Sequence, residues 1–258
     1  MMQNLTLRGL QITLTGAKTM RNKSTHFKRN SGSAFFLVGC LVAISGANPA
    51  LAQSANPVCG SLANGYGPYD SRTDLDKLPI VLGAHFTPEV EALIRGTTSN
   101  RPGGDIDYTL RAIPNNHRAL LAMMRLGEKE KTPQPAGSRY SVECWLERAA
   151  LFRPDDSIVR MIYSTYLNSK GRIPEAIRQL EIASSYAKDN GFTHYNIGLH
   201  YFDMKNYDRA LVEAHKAIEL GFPQPVLRDR LKSVGKWVEP ANAVSTLSVD
   251  IAPAQGPK

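Results

Sequence analysis

The sequence has little of what most chemistry and most membranes require. Its 258 residues include three cysteines and two tryptophans, and aromatic residues make up 8%. It contains no phosphate-cradling Gly-rich loop, no dinucleotide-binding glycine pattern, no serine elbow flanked by glycines and no His-Glu-x-x-His pair. Nucleotide, hydrolase and zinc-protease chemistries therefore have no seat in the sequence. Gly103-Gly104 is a lone pair after a proline and reads as a turn. The apolar run Ala34–Ile44 is eleven residues long, too short to span a bilayer, which takes about 20.

Residues 1–52 have no acidic side chain but six basic ones, Arg8, Lys18, Arg21, Lys23, Lys28 and Arg29. Of the net charge of +8, this segment accounts for +6, leaving 25 basic residues against 23 acidic in the remainder. No basic stripe with interleaved aromatics remains, so a nucleic-acid partner is not expected. The segment has the design of an export leader. Lys28-Arg29 precedes the apolar run, Pro49 breaks it, and Ala50-Leu51-Ala52 places small residues before Gln53. Cleavage between Ala52 and Gln53 would release the mature protein into the bacterial periplasm. Met20 would give a leader of ordinary length. Two alternatives stay open: an uncleaved inner-membrane anchor, which would be the chain's only membrane contact, and a lipoprotein modified at Cys40 within Leu37-Val38-Gly39-Cys40.

The mature chain retains two cysteines, Cys59 and Cys144. An even number in an oxidising compartment suggests a disulfide, with two buried thiols as the alternative. No metal site is expected. His194 and His200 are six residues apart, about 240° around a helix, so they do not share a face. His85 and His117 read as loop or helix-start contacts. No cofactor and no small-molecule substrate is indicated.

The strongest signal is internal repetition. Ser157–Asn190 and Gly191–Gln224 align without a gap at a period of 34. Ala176 matches Ala210, Ala183 matches Ala217, and Gly171 and Lys205 fall at corresponding turns. The second segment reads His194-Tyr195-Asn196-Ile197-Gly198-Leu199-His200-Tyr201, then Asn206-Tyr207-Asp208-Arg209-Ala210-Leu211, then Lys216-Ala217-Ile218-Glu219-Leu220. The spacing resembles the tetratricopeptide repeat (TPR), a pair of antiparallel helices with small residues where they cross. Ser164, Ala176 and Ala183 in one unit, and Gly198, Tyr201, Ala210 and Ala217 in the next, are the expected core positions. Around His85–Glu91 and Asp107–Ala112 the chain is similar to small exported bacterial TPR proteins of no assigned activity.

The expected architecture is all-α: a short helix-turn-helix solenoid with a C-terminal capping helix and an irregular N-terminal arm. In residue ranges, 1–52 is the leader and 53–113 the arm with short helices. An expanded unit at 114–156 precedes full units at 157–190 and 191–224. The capping helix is 225–237, and 238–258 is a disordered tail. Helices are expected at Pro88–Arg95, Asp105–Ile113 and His117–Leu126, with a polar expanded turn at Gly127–Arg139; Leu78–Leu82 is the candidate strand.

The resemblance also implies a partner-binding groove, lined by the first helix of each unit at Ile158, Met161, Thr165 and Asn168, then Phe192, Tyr195, Leu199 and Phe202. Lysines and asparagines that would clamp a carboxylate are missing at the fifth and ninth positions of these units, where Met161, Tyr195, Thr165 and Leu199 stand. The apolar character favours an amphipathic or apolar segment of a partner protein, unless the arm or tail covers the face. The expected role is a non-catalytic scaffold or adaptor, with a place in envelope assembly. An enzyme using His85, Glu89, Glu91, Asp105 and Asp107 is the alternative.

Overall fold

The computed structural model describes residues 57–98 and 100–240. The Ala52–Gln53 junction, Cys40 and most of the tail lie outside the described residues. After a single 3-10 turn at Pro57–Cys59, the helices are α1 (Leu78–His85), α2 (Pro88–Glu91), α3 (Pro102–Ala112), α4 (His117–Glu130) and α5 (Val142–Phe152). They are followed by α6 (Ser157–Ser169), α7 (Ile173–Ala187), α8 (Gly191–Asp203), α9 (Tyr207–Glu219) and α10 (Pro225–Ser233). Among the described residues there is no strand, and no helix is long and apolar enough to cross a membrane.

The candidate strand is helical: Leu78–Leu82 opens α1. Pro79 sits in the first turn, where its missing N–H costs nothing, and the buried pair Leu78 and Val81 has helical spacing. A short apolar run does not by itself separate strand from helix. Three further expectations are corrected. The helix from Pro88 stops at Glu91, because Leu93 turns into left-handed backbone (φ 58°) and buries its side chain. Gly103-Gly104 lies inside α3 instead of forming a turn. A Cβ on Gly103 would meet the carbonyl oxygen of Ala136 at 2.2 Å, so the glycine lets the α4–α5 connection pass against the helix. That connection is shorter than expected, because α4 continues to Glu130 before Lys131 ends it in left-handed backbone.

Side-chain caps start many of the helices. Asn116, Asp156, Asn190 and Asn206 each accept a bond from a backbone N–H in the first turn of the helix that follows. Asp156 and Asn190 are one 34-residue period apart. Three-residue turns join α6 to α7 and α8 to α9, and each pair packs along its length. One core, including Ile106, Leu110, Met123, Trp145, Leu146 and Leu167, joins α2 through α7. A second, including Met161, Leu180, Ile197, Tyr201 and Leu227, joins α6 through α10.

The segment before α1 is irregular but firmly held. Cys59 and Cys144 form a disulfide, with their Cα atoms 5.0 Å apart. Beside it, buried Arg148 donates from Nη1 to the carbonyl oxygens of Cys59, Gly60 and Ser61 at 2.9, 3.2 and 2.7 Å. Its guanidinium lies over the rings of Tyr140 and Trp145, and burial lowers its pKa. Farther along, Asn115 donates to Asp70 at 2.7 Å and to Asp156 at 3.0 Å, and His117 bonds to Asp156 at 2.9 Å. This buried network ties the arm to the starts of α4 and α6.

Candidate functional site

The 34-residue period places equivalent residues of α6, α8 and α10 side by side, since α8 packs on both of the others. The second residue of each of these helices is apolar and exposed: Ile158 at 42%, Phe192 at 55% and Val226 at 52%. Folding does not bury this row, although each side chain stands beside a well-packed core. Phe222, in the segment between α9 and α10, supports it from below. Its ring meets Phe192 and Tyr195 edge-on, both with centroids 5.5 Å apart.

The other predicted lining residues are less accessible. Met161 is only 6% exposed and belongs to the second core, so it is a packing residue and not a lining one. It lies in one apolar cluster with Leu180 and Ala183 of α7 and Ile197 of α8. Thr165, Asn168, Tyr195, Leu199 and Phe202 are half-buried. Arg230 of α10 lies over the Phe202 ring at 4.2 Å and pairs with Asp203 at 2.5 Å, which takes one face of Phe202 out of reach. Thr165 donates its hydroxyl to the Met161 carbonyl at 3.1 Å, leaving its oxygen to accept from His200 Nδ1 at 3.3 Å. Burial pushes the His200 pKa down to about 4, so the ring is neutral at pH 7 and that bond holds α6 to α8.

Beneath this face, Ser164, Ala176, Ala183, Gly198, Tyr201, Ala210 and Ala217 are all buried. A Cβ on Gly198 would come within 2.5 Å of Leu227 Cδ2, so the missing side chain is what lets α10 close on α8. The face does not continue onto α4. Arg118 pairs with Glu91, Arg125 donates to the Glu91 carbonyl at 3.2 Å, and Lys129 donates to the Leu93 carbonyl at 2.9 Å. Among the described residues, the arm covers α4 and leaves the row on α6, α8 and α10 exposed.

The titratable residues of the N-terminal region do not converge. His85 Nδ1 bonds Asp105 at 2.9 Å, and its ring stacks on Tyr108 at 4.0 Å. Asp105 also accepts from the Thr98 hydroxyl and from the Thr97 and Thr98 amides. Burial pushes the Asp105 pKa up, but these bonds outweigh it and hold the carboxyl below its ordinary range. Glu91 is engaged with Arg118, while Asp107 pairs with Arg111 and accepts from the Arg139 amide. Each acid has its own partner, and the set fastens α1, α2 and α3 to their neighbours. Among the described residues, the clustered metal-ligating side chains are Cys59, Cys144 and Glu147, and both sulfurs are committed to the disulfide.

Sequence reasoning missed Val226, Phe222 and Arg148. Val226 was within reach, because it lies one period after Phe192. Phe222 and Arg148 act through contacts that no local pattern encodes. No protein-family model, no curated protein and no solved structure matches the chain.

Proposed function

We propose that α6 through α10 form a short TPR solenoid and that the chain is a non-catalytic adaptor that binds an apolar or amphipathic segment of a partner protein. In this reading α6–α7 and α8–α9 are the two full repeats. The pair α4–α5 is an expanded unit whose inner face the arm occupies, and α10 is the capping helix. The observation that carries the proposal is the row Ile158, Phe192 and Val226, three large apolar side chains left in water at equivalent positions of adjacent helices. Neighbouring helices pack about 8–10 Å apart, close to the rise of two turns of a bound helix. One amphipathic segment can therefore present a side chain to each member of the row.

Covering a large apolar side chain is worth about 1.5–3 kcal/mol, and ordering the partner offsets part of the gain. The expected affinity for one segment is roughly micromolar. The leader pattern supports a periplasmic location and a role among envelope proteins. The enzyme alternative gains only the His85–Asp105 pair, which has a sufficient structural use between α1 and α3.

The test is the double substitution Phe192→Ser and Val226→Ser in the full chain, followed by partner capture from native envelopes. Capture should be lost while helical content and melting temperature stay close to wild type. Undiminished capture by a folded double variant would place the site elsewhere.

A further inference from the structure

The path of the chain after α10 leads back toward the exposed row. Leu227 packs at the level of Gly198, beside Glu213, and Arg230 pairs with Asp203, so α10 runs parallel to α8. Gly235 then turns in left-handed backbone (φ 68°), and the Lys236 amide donates to the Leu231 carbonyl at 2.9 Å. By Val238 the chain has come back. Its carbonyl accepts from His215 Nε2 at 2.7 Å, and Trp237 packs edge-on to the same ring and on the second core. His215 is two residues from Glu213. The chain has thus returned to the height at which α10 began, toward the end of the array that carries Phe192 and Val226.

The remaining distance is short. Gly191 packs against Ala217, Leu220 and Phe222, all within about two helical turns, roughly 11 Å, of His215. Nine residues of extended chain, from Val238 to Leu247, span about 30 Å, enough to round the ends of α9 and α10. Residues 241–258 lie outside the described residues, and their sequence supplies the match. Val244, Leu247 and Ile251 recur at i, i+3 and i+7, the spacing of one helical face, with Ser245, Thr246 and Asp250 off it and Val249 opposite. Val244 and Ile251 are two turns apart, about 10.5 Å, close to the spacing of neighbouring helices and so of neighbouring row members.

We infer that segment 244–251 docks intramolecularly on the row Ile158, Phe192 and Val226 and competes there with the partner segment. The competition, though not the docking, rests on that row being the partner-binding face. A tether this short presents the segment at about 1 mM. With an intrinsic Kd of about 0.1 mM it covers the row in about nine molecules of ten and weakens partner binding about tenfold.

The probe is benzoylphenylalanine in place of Phe192, irradiated in the purified full chain and mapped by peptide mass spectrometry. The adduct should be intramolecular and fall within residues 241–258. It should disappear in Val244→Ser/Leu247→Ser/Ile251→Ser, whose melting temperature should match wild type. In capture from native envelopes, the same triple change made with Phe192 intact should bind about tenfold more tightly than wild type. No adduct to residues 241–258, an adduct to a second copy of the chain, or an adduct undiminished in the triple variant would overturn the docking. An adduct that forms and disappears as described, without the gain in capture, upholds the docking and counts against the row as the partner-binding face.

Discussion

Replacing both members of the Cys59–Cys144 disulfide with serine should lower stability sharply while leaving the native arrangement of the arm in place. The bond joins residues 85 positions apart. Closing a loop of that length restricts the unfolded chain by about 4.5 kcal/mol at 25 °C in the chain-entropy account. In a domain of this size each kcal/mol moves the melting temperature by about 2–4 °C, so the midpoint should fall by about 10–15 °C. The arm should nonetheless stay docked, because Arg148 still donates to the carbonyls of Cys59, Gly60 and Ser61 and Asn115 still joins Asp70 to Asp156. The assay is thermal denaturation of oxidised wild type and of Cys59→Ser/Cys144→Ser, with amide exchange over residues 57–77 at 25 °C. A midpoint within about 2 °C of wild type would refute the loop-entropy reasoning. Rapid exchange throughout the arm in the folded variant would refute the second fastening.

Other perturbations follow from the same geometry. Arg148→Ala should cost about 2–4 kcal/mol in a urea titration, since it removes the donor to the buried Cys59 carbonyl and the guanidinium that packs on Tyr140 and Trp145. Ala210→Leu should cost about 1–3 kcal/mol, because Ala210 is fully buried and its carbonyl lies 3.3 Å from where a Gly198 Cβ would stand; an unchanged midpoint would contradict the packing of α8 on α9. Burial raises the pKa values of Asp70, Asp105 and Asp156, but their hydrogen bonds outweigh it and all three are held below the ordinary carboxylate range. Their stabilising contribution is therefore fully present above the unfolded pKa of about 3.9 and is lost as pH falls through the lowered folded values. Denaturant midpoints should drop on acidification below about pH 4, and Asp156→Asn should flatten that dependence; a parallel slope in the variant would count against it.

The helical part of the fold was readable wherever the signal is local. The period-34 alanines pack where adjacent helices cross, and the helix starts at Pro88 and His117 fall where the local pattern puts them. Reading failed where a distant partner decides. Leu78–Leu82 is helical, and among the described residues no strand is present to pair with it, while Gly103 sits inside a helix as the residue without a Cβ where the Ala136 backbone passes. The proposed interaction face shows the same division. Ile158 and Phe192 could be placed by register, but the burial of Met161 depends on the tertiary packing of α7 and α8 around it. The covering of α4 depends on Arg118 and Lys129 reaching across to residues 91 and 93.

The central claim is that the row Ile158, Phe192 and Val226 is the partner-binding face. A photo-crosslinking residue placed singly at Phe192, at Val226 and, as a control away from the row, at exposed Tyr186 tests it directly in intact cells. The account predicts the same discrete protein adduct from positions 192 and 226 and none from 186. Adducts of equal yield at all three positions, or none at 192 and 226, would contradict it.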